Sequence, residues 1–247
     1  MNKIYVVGIG PGAYEQMTLK AVQALESCQI IIGYTVYVDL VRAHFPGKIF
    51  LTTPMTKEVE RCKMAFEEAK KGNRVAMICS GDAGVYGMAG LMYEVGVDFP
   101  DIELEIVAGI TAALAGAAVL GAPLIHDFAL ISLSDLMTPW EKIEKRLRLA
   151  SQADFVICLY NPSSKKRTEY LQKACDILLE DKAMDTPCGT VHHIGREGEQ
   201  AFVMTLGELR NTQVDMFTTV FIGNEQTKKL TCNQDLKMVT PRGYAHV

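Results

Sequence analysis

Short apolar runs recur along the first half of the chain, each closed by glycine or polar positions and followed by a stretch of helical spacing. Residues 4–7 predict a strand ending in Gly8-Ile9-Gly10-Pro11-Gly12, and Thr18 offers a cap for a helix reaching Ser27. Residues 29–32 and 48–51 predict the next strands. Thr56 offers a cap for a charged helix over 57–71, closed by Gly72. A strand over 74–79 runs into Ser80-Gly81-Asp82-Ala83-Gly84-Val85-Tyr86-Gly87, and one over 102–107 precedes Gly109-Ile110-Thr111 and a helix of small residues. Strands joined by helical crossovers imply a mostly parallel sheet covered on both faces.

The pattern changes near Gly121-Ala122-Pro123, which sets a boundary between domains 1–121 and 122–247. Beyond it, 128–133 and 154–160 predict strands flanking an amphipathic helix over 139–150 with Pro139 in first position. Another helix follows Asn161-Pro162-Ser163-Ser164. Residues 188–194, 200–205 and 217–222 predict strands with short connections, hence a mixed sheet. The fold class is α/β, with two α/β domains.

Composition narrows the function. The 247 residues carry 25 Lys+Arg against 29 Asp+Glu, and a net charge of −4 gives no global attraction for nucleic acid or an anionic membrane. An anionic ligand must therefore be met by a local basic patch. The seven cysteines form no C-x-x-C pair, so zinc-ribbon and iron–sulfur spacings are missing and no metal site is expected. Their odd number and apolar flanks point to a reducing compartment, and the first residues do not read as a signal peptide. The most membrane-like stretch, 109–125, is too short to span and carries Pro123. A cytoplasmic protein is the expectation.

Gly8-Ile9-Gly10-Pro11-Gly12-Ala13 has the spacing of a dinucleotide loop, which keeps an NAD-type oxidoreductase as an alternative. Two features oppose it. Pro11 removes an amide that pyrophosphate would need, and the second strand ends Ile32-Gly33-Tyr34 with no acid for a ribose hydroxyl. The loop at 80–87 is glycine-rich at the carboxyl end of a strand, where open α/β sheets bind ligands. With the turn at 109–112, three such loops can converge on one crevice.

In this order these loops resemble the tetrapyrrole (corrin and porphyrin) methyltransferase family: V-G-x-G-P-G at 7–12, the G-D loop at 80–82 and G-x-[ST]-[AS] at 109–112. Further segments carry the likeness across the second half: Gly121-Ala122-Pro123-Leu124, His126-Asp127-Phe128, Thr138-Pro139-Trp140, Tyr160-Asn161-Pro162, Gly195-Arg196-Glu197-Gly198-Glu199 and Thr240-Pro241-Arg242-Gly243-Tyr244. The resemblance implies S-adenosylmethionine in a cleft between the two domains, with a tetrapyrrole over its methyl group. It further implies methylation at C17 of a precorrin-3-type substrate with ring contraction, or methylation at another ring carbon, by a homodimer. Carried over position by position, cofactor contacts fall on Pro11, Ser80, Gly81, Asp82, Val85, Thr111, Ala112, Asn161 and Gly195.

Methyl transfer to an electron-rich carbon needs alignment and exclusion of water rather than a metal or a strong base. Contraction of the macrocycle does move protons, and His126, Asp127, Ser132 and Asp135 are the candidates. Lys165, Lys166 and Arg167, at the expected start of a helix, with Arg196 and Arg242, suit the carboxylates of the substrate. His192 and His193 are expected on opposite faces of a strand, where they cannot easily share one ion.

Overall fold

The computed structural model describes residues 2–164 and 166–244, and the chain divides into two compact units, Met1–Ala112 and Ala113–Val247. In the first, β1 (Asn2–Gly8), α1 (Leu19–Ser27), β2 (Ile30–Tyr34), α2 (Thr35–Arg42), β3 (Ile49–Thr53), α3 (Glu58–Lys70), β4 (Val75–Cys79), α4 (Ala89–Gly96) and β5 (Ile102–Val107) alternate along the chain. The strands form one parallel sheet in the order β3-β2-β4-β1-β5. β4 is buried throughout and β1 from Val6 to Gly8, as strands covered on both faces must be. Phe66 from α3 is fully buried and stacks on Phe99 with centroids 4.5 Å apart. Burying such a ring contributes about 1.5–3 kcal/mol.

Thr18 caps α1 as expected, its hydroxyl accepting from the Ala21 amide at 3.1 Å. Thr56 does not cap α3. Its φ is +68°, Lys57 is the residue ahead of the helix, and the Glu58 carboxylate accepts from the Thr56 amide instead. The helix α2 has no capping side chain, so it left no start signal in the sequence.

The second unit holds α5 (Ala112–Leu120, whose first residue closes the first unit), β6 (Gly121–Ala122), β7 (Phe128–Ser132), α6 (Trp140–Gln152), β8 (Val156–Tyr160), α7 (Tyr170–Leu178), β9 (Pro187–His192), β10 (Gln200–Thr205), α8 (Leu206–Leu209), β11 (Thr218–Ile222), β12 (Lys228–Cys232) and β13 (Asp235–Val239). The main sheet is mixed, ordered β10-β9-β11-β8-β7, with β7 and β8 parallel and the other pairs antiparallel. A small sheet, β12-β13-β6, joins segments that show no strand pattern in the sequence.

The division falls at Ala112, ahead of the break expected after Gly121, because α5 packs with the elements that follow it. A side chain at Gly116 would meet Phe221 and Ile194 at about 3 Å, so the stripe of small residues lets α5 lie against β11. Pro139 precedes α6 rather than opening it. The helix expected directly after Ser164 begins at Tyr170, since Ser164 and Arg167 bond each other across a turn (3.0 and 3.4 Å). No described helix is long and apolar enough to cross a membrane.

Six cysteines are buried and only Cys232, on β12, is exposed. Burial pushes the Cys62 thiol up to about 12 and Cys79 to about 11, and raises Cys28, Cys158, Cys175 and Cys188 as well. At neutral pH, Ellman's reagent should titrate about one thiol per native chain and the rest only in denaturant. A larger fast fraction would contradict this core. Gly109→Ala places a Cβ 2.2 Å from the Gly81 carbonyl oxygen, whereas one at Gly90 in α4 meets nothing within 4 Å. Urea unfolding should show Gly109→Ala destabilised by about 1–3 kcal/mol and Gly90→Ala equal to or above the parent.

Candidate active site

In the first unit the adjacent strands β4, β1 and β5 run parallel, so their carboxyl ends carry three loops side by side. Reciprocal backbone bonds tie the first two: the Gly10 amide donates to the Gly81 carbonyl at 3.0 Å and the Gly81 amide to the Gly10 carbonyl at 2.7 Å. The Asp82 carboxylate fastens the third. One oxygen accepts from the Gly109 amide at 2.9 Å, the other from the Gly84 amide at 2.8 Å. Side chains are excluded at the junction, because a Cβ on Gly8 would lie 2.7 Å from the Gly81 carbonyl oxygen and 2.8 Å from the Gly109 nitrogen. Gly10 and Gly81, with φ of +75° and +67°, occupy the left-handed region that only glycine enters freely.

This cradle brings together Pro11, Ser80, Gly81, Asp82 and Thr111 of the sequence-nominated residues. A Cβ on Gly81 would rest 3.5 Å from Thr111 Cα and 3.7 Å from the Ala112 nitrogen. Val85 follows on the second loop and is half-buried. Asp82 differs in role from a simple ligand acceptor, since both oxygens already serve loop amides and the residue holds the cradle closed.

In the second unit the parallel strands β7 and β8 end together, and there Asn161 Nδ2 donates to Ser132 Oγ at 2.9 Å. Asn161 has φ +52°, a conformation asparagine tolerates better than most residues. Nearby in sequence, Asp135 accepts from the Tyr170 hydroxyl at 2.7 Å and pairs with Arg167 Nε. The Tyr170 bond, with the guanidinium, holds the Asp135 carboxyl below the usual carboxylate range.

His126 and Asp127 lie apart from this pair. They precede β7, whereas Ser132 closes it, a strand length of roughly 16 Å at about 3.3 Å per residue. His126 Nε2 bonds the Pro241 carbonyl at 2.9 Å, and Asp127 is exposed.

Among the nominated basic residues, Lys166 is exposed and Arg167 faces Asp135 in a turn rather than at a helix start. Lys165 lies outside the described residues. Arg196 lies over the Phe217 ring at 5.6 Å, and Arg242 is exposed. Gly195, at φ +64°, donates its amide to Glu199 at 2.7 Å.

The histidines depart from expectation. β9 ends at His192, and His193 takes φ +52°, so strand alternation lapses and the rings stack with centroids 3.8 Å apart. With Asp215, which is 3.1 Å from His192 Nε2, they bring three potential metal-ligand atoms within 4.8 Å of one another.

Sequence reasoning passed over two residues. Tyr160 closes β8 and its hydroxyl accepts the Ala113 amide at 2.7 Å, in the first turn of α5. Arg61, in the first turns of α3, is only 4% exposed. The helical spacing of α3 makes it one charged residue among many, and nothing local marks it as buried.

Comparison with known proteins bears directly on this arrangement. The description of tetrapyrrole (corrin/porphyrin) methylases matches residues 3–210. A probable cobalt-factor III C(17)-methyltransferase of Salmonella typhimurium is 48% identical over 240 residues, 97% of this chain and 98% of that protein. A precorrin-3B C(17)-methyltransferase of a Sinorhizobium species is 40% identical over 247 residues, 98% of this chain and 97% of that protein. The crystal structure of the methyltransferase CobJ superposes with a TM-score of 0.88 at 34% identity, over 98% of this chain and 100% of that one. With three interlocked glycine loops on a parallel sheet and likeness across nearly its whole length, the chain belongs to the tetrapyrrole methylases.

Proposed function

We propose that this chain transfers a methyl group from S-adenosylmethionine to C17 of a precorrin-3-type tetrapyrrole, either cobalt-bearing or metal-free, and contracts the macrocycle in the same site. The observation that carries the reading is the cradle at Gly10, Gly81 and Gly109, where glycine backbone comes together at the carboxyl end of the sheet, held by the Asp82 carboxylate. Such a surface admits a ligand close to main-chain donors and acceptors and suits an adenosyl compound better than a pyrophosphate, because Pro11 interrupts the run of amides. Two relatives named for action at C17 support the position on the ring. When bound, the sulfonium cofactor supplies an activated methyl group.

The chain's own work is alignment. Donor and acceptor must be held about 3–3.5 Å apart and in line, which is worth several orders of magnitude in rate. Rigid loops achieve this: Asp82 fixes two of them, and the Gly10–Gly81 bridge fixes the first against the second. To Ser132 and Asp135, near the ends of β7 and β8, the reading assigns the proton movements, with Asn161 holding the Ser132 hydroxyl and Asp135 the anionic partner of Arg167 and Tyr170. The reading carries with it a cytoplasmic homodimer.

Incubation with S-adenosylmethionine and cobalt-precorrin-3 or precorrin-3B should give a product one methyl heavier, with a carbon-labelled methyl located at C17 by NMR. No mass gain with either substrate rejects the assignment; a label at another carbon revises the position. Asp82→Asn replaces one acceptor by a donor facing a loop amide. Calorimetry should show S-adenosylhomocysteine binding weakened about tenfold or more, since an unmatched polar contact costs about 1–3 kcal/mol.

A further inference from the structure

Arg61 is the feature of the first unit that the fold does not complete. Its Nε donates to Thr53 Oγ1 at 2.8 Å, and Nη2 to the Pro54 carbonyl at 3.1 Å and the Thr53 carbonyl at 3.5 Å. Among the described residues Nη1 meets the thioether of Met88, a weak acceptor, at 3.8 Å and no other acceptor. Among the described residues no carboxylate comes within ion-pair distance. Glu58 lies on the same helix, but its side chain accepts from the Thr56 amide. An arginine cannot shed its charge on burial, and neutral carbonyls compensate it only in part.

The guanidinium lines a cavity of about 200 Å³ together with Tyr34, Glu58, Ser80, Tyr86 and Met88. The cavity adjoins the cradle, since Ser80 leads directly into Gly81 and Asp82. It is too small for a tetrapyrrole macrocycle, given that even drug-sized ligands occupy about 300 Å³ or more. One carboxylate-bearing arm fits, and the free edge at Nη1 offers the charge-assisted donors such a group prefers.

Resting on the methyltransferase reading, we propose that Arg61 and this cavity form a carboxylate-binding subsite. Two carboxylates can reach it, the amino-acid tail of the cofactor and an acid side chain of the tetrapyrrole. The sequence-nominated Arg167 already has Asp135 as its anion, which leaves Arg61 as the buried cation awaiting one.

The test uses the full chain and Arg61→Met, with folding checked by thermal melting. Calorimetric titrations with S-adenosylhomocysteine and with 5′-methylthioadenosine, which lacks the amino-acid tail, separate the two sources. If the cofactor tail occupies the subsite, Arg61→Met weakens S-adenosylhomocysteine at least about tenfold and leaves methylthioadenosine unchanged. If a tetrapyrrole acid occupies it, both titrations are unchanged and KM for cobalt-precorrin-3 rises about 10–100-fold with kcat nearly constant. Unchanged binding and unchanged KM in folded Arg61→Met overturn the proposal.

Should Arg61→Met not fold, Met88→Glu sets an internal carboxylate against Nη1 and keeps the bonds of Arg61 to Thr53 and Pro54. The same selective losses are then expected, and parental values overturn the proposal. A parent chain that neither binds S-adenosylhomocysteine nor methylates would instead reject the methyltransferase reading itself.

Discussion

The mutual locking of three backbone loops governs the first unit. Gly10 and Gly81 exchange amide-to-carbonyl bonds, and the Asp82 carboxylate draws in the Gly109 amide, so loops far apart in sequence behave as one surface. The lock is steric as well as polar. Gly8, Gly81 and Gly109 approach so closely that a methyl group on Gly8 or Gly109 would overlap a neighbouring carbonyl or amide. Ordering such loops costs backbone entropy, about 1–2 kcal/mol per residue, which a buried parallel sheet directly beneath them offsets. A ligand meeting a surface already ordered does not have to supply that cost again.

The second unit solves a different problem. Its sheet is mixed, and beyond the parallel pair β7–β8 Asn161 bonds Ser132 while Tyr170 and Arg167 both meet Asp135. Here the charge of Arg167 is neutralised within the fold. In the first unit Arg61 has no ion pair among the described residues, although it is the more deeply buried of the two. The contrast shows why counting basic residues is a poor guide to anion sites, because the fold decides which cations retain binding capacity.

Much of the fold was legible because it depends on local signals. The apolar runs ending in glycine marked β1, β4 and β5, and Thr18 marked the start of α1. Where a local signal was missing or misleading, the reading went astray. The helix α2 lacks a capping side chain, Thr56 sits in the left-handed region, and the turn from Ser164 to Arg167 delays α7. The sheet β12-β13-β6 escaped notice because β12 is exposed along its length and β6 pairs with a strand more than a hundred residues away. The histidine pair failed for a related reason, since alternation holds only while the strand continues and it stops at His192.

What the sequence determined by itself was the class of architecture and the identity of the loops, because hydrophobic period and glycine placement are properties of neighbouring residues. Tertiary structure alone decided which carboxylate fastens which loop, that among the described residues Arg167 has an anion and Arg61 has none, and that α5 packs with the second unit. Each of these depends on distances between residues remote along the chain. Pairwise electrostatics and packing act through space, and the order of residues carries no direct record of them.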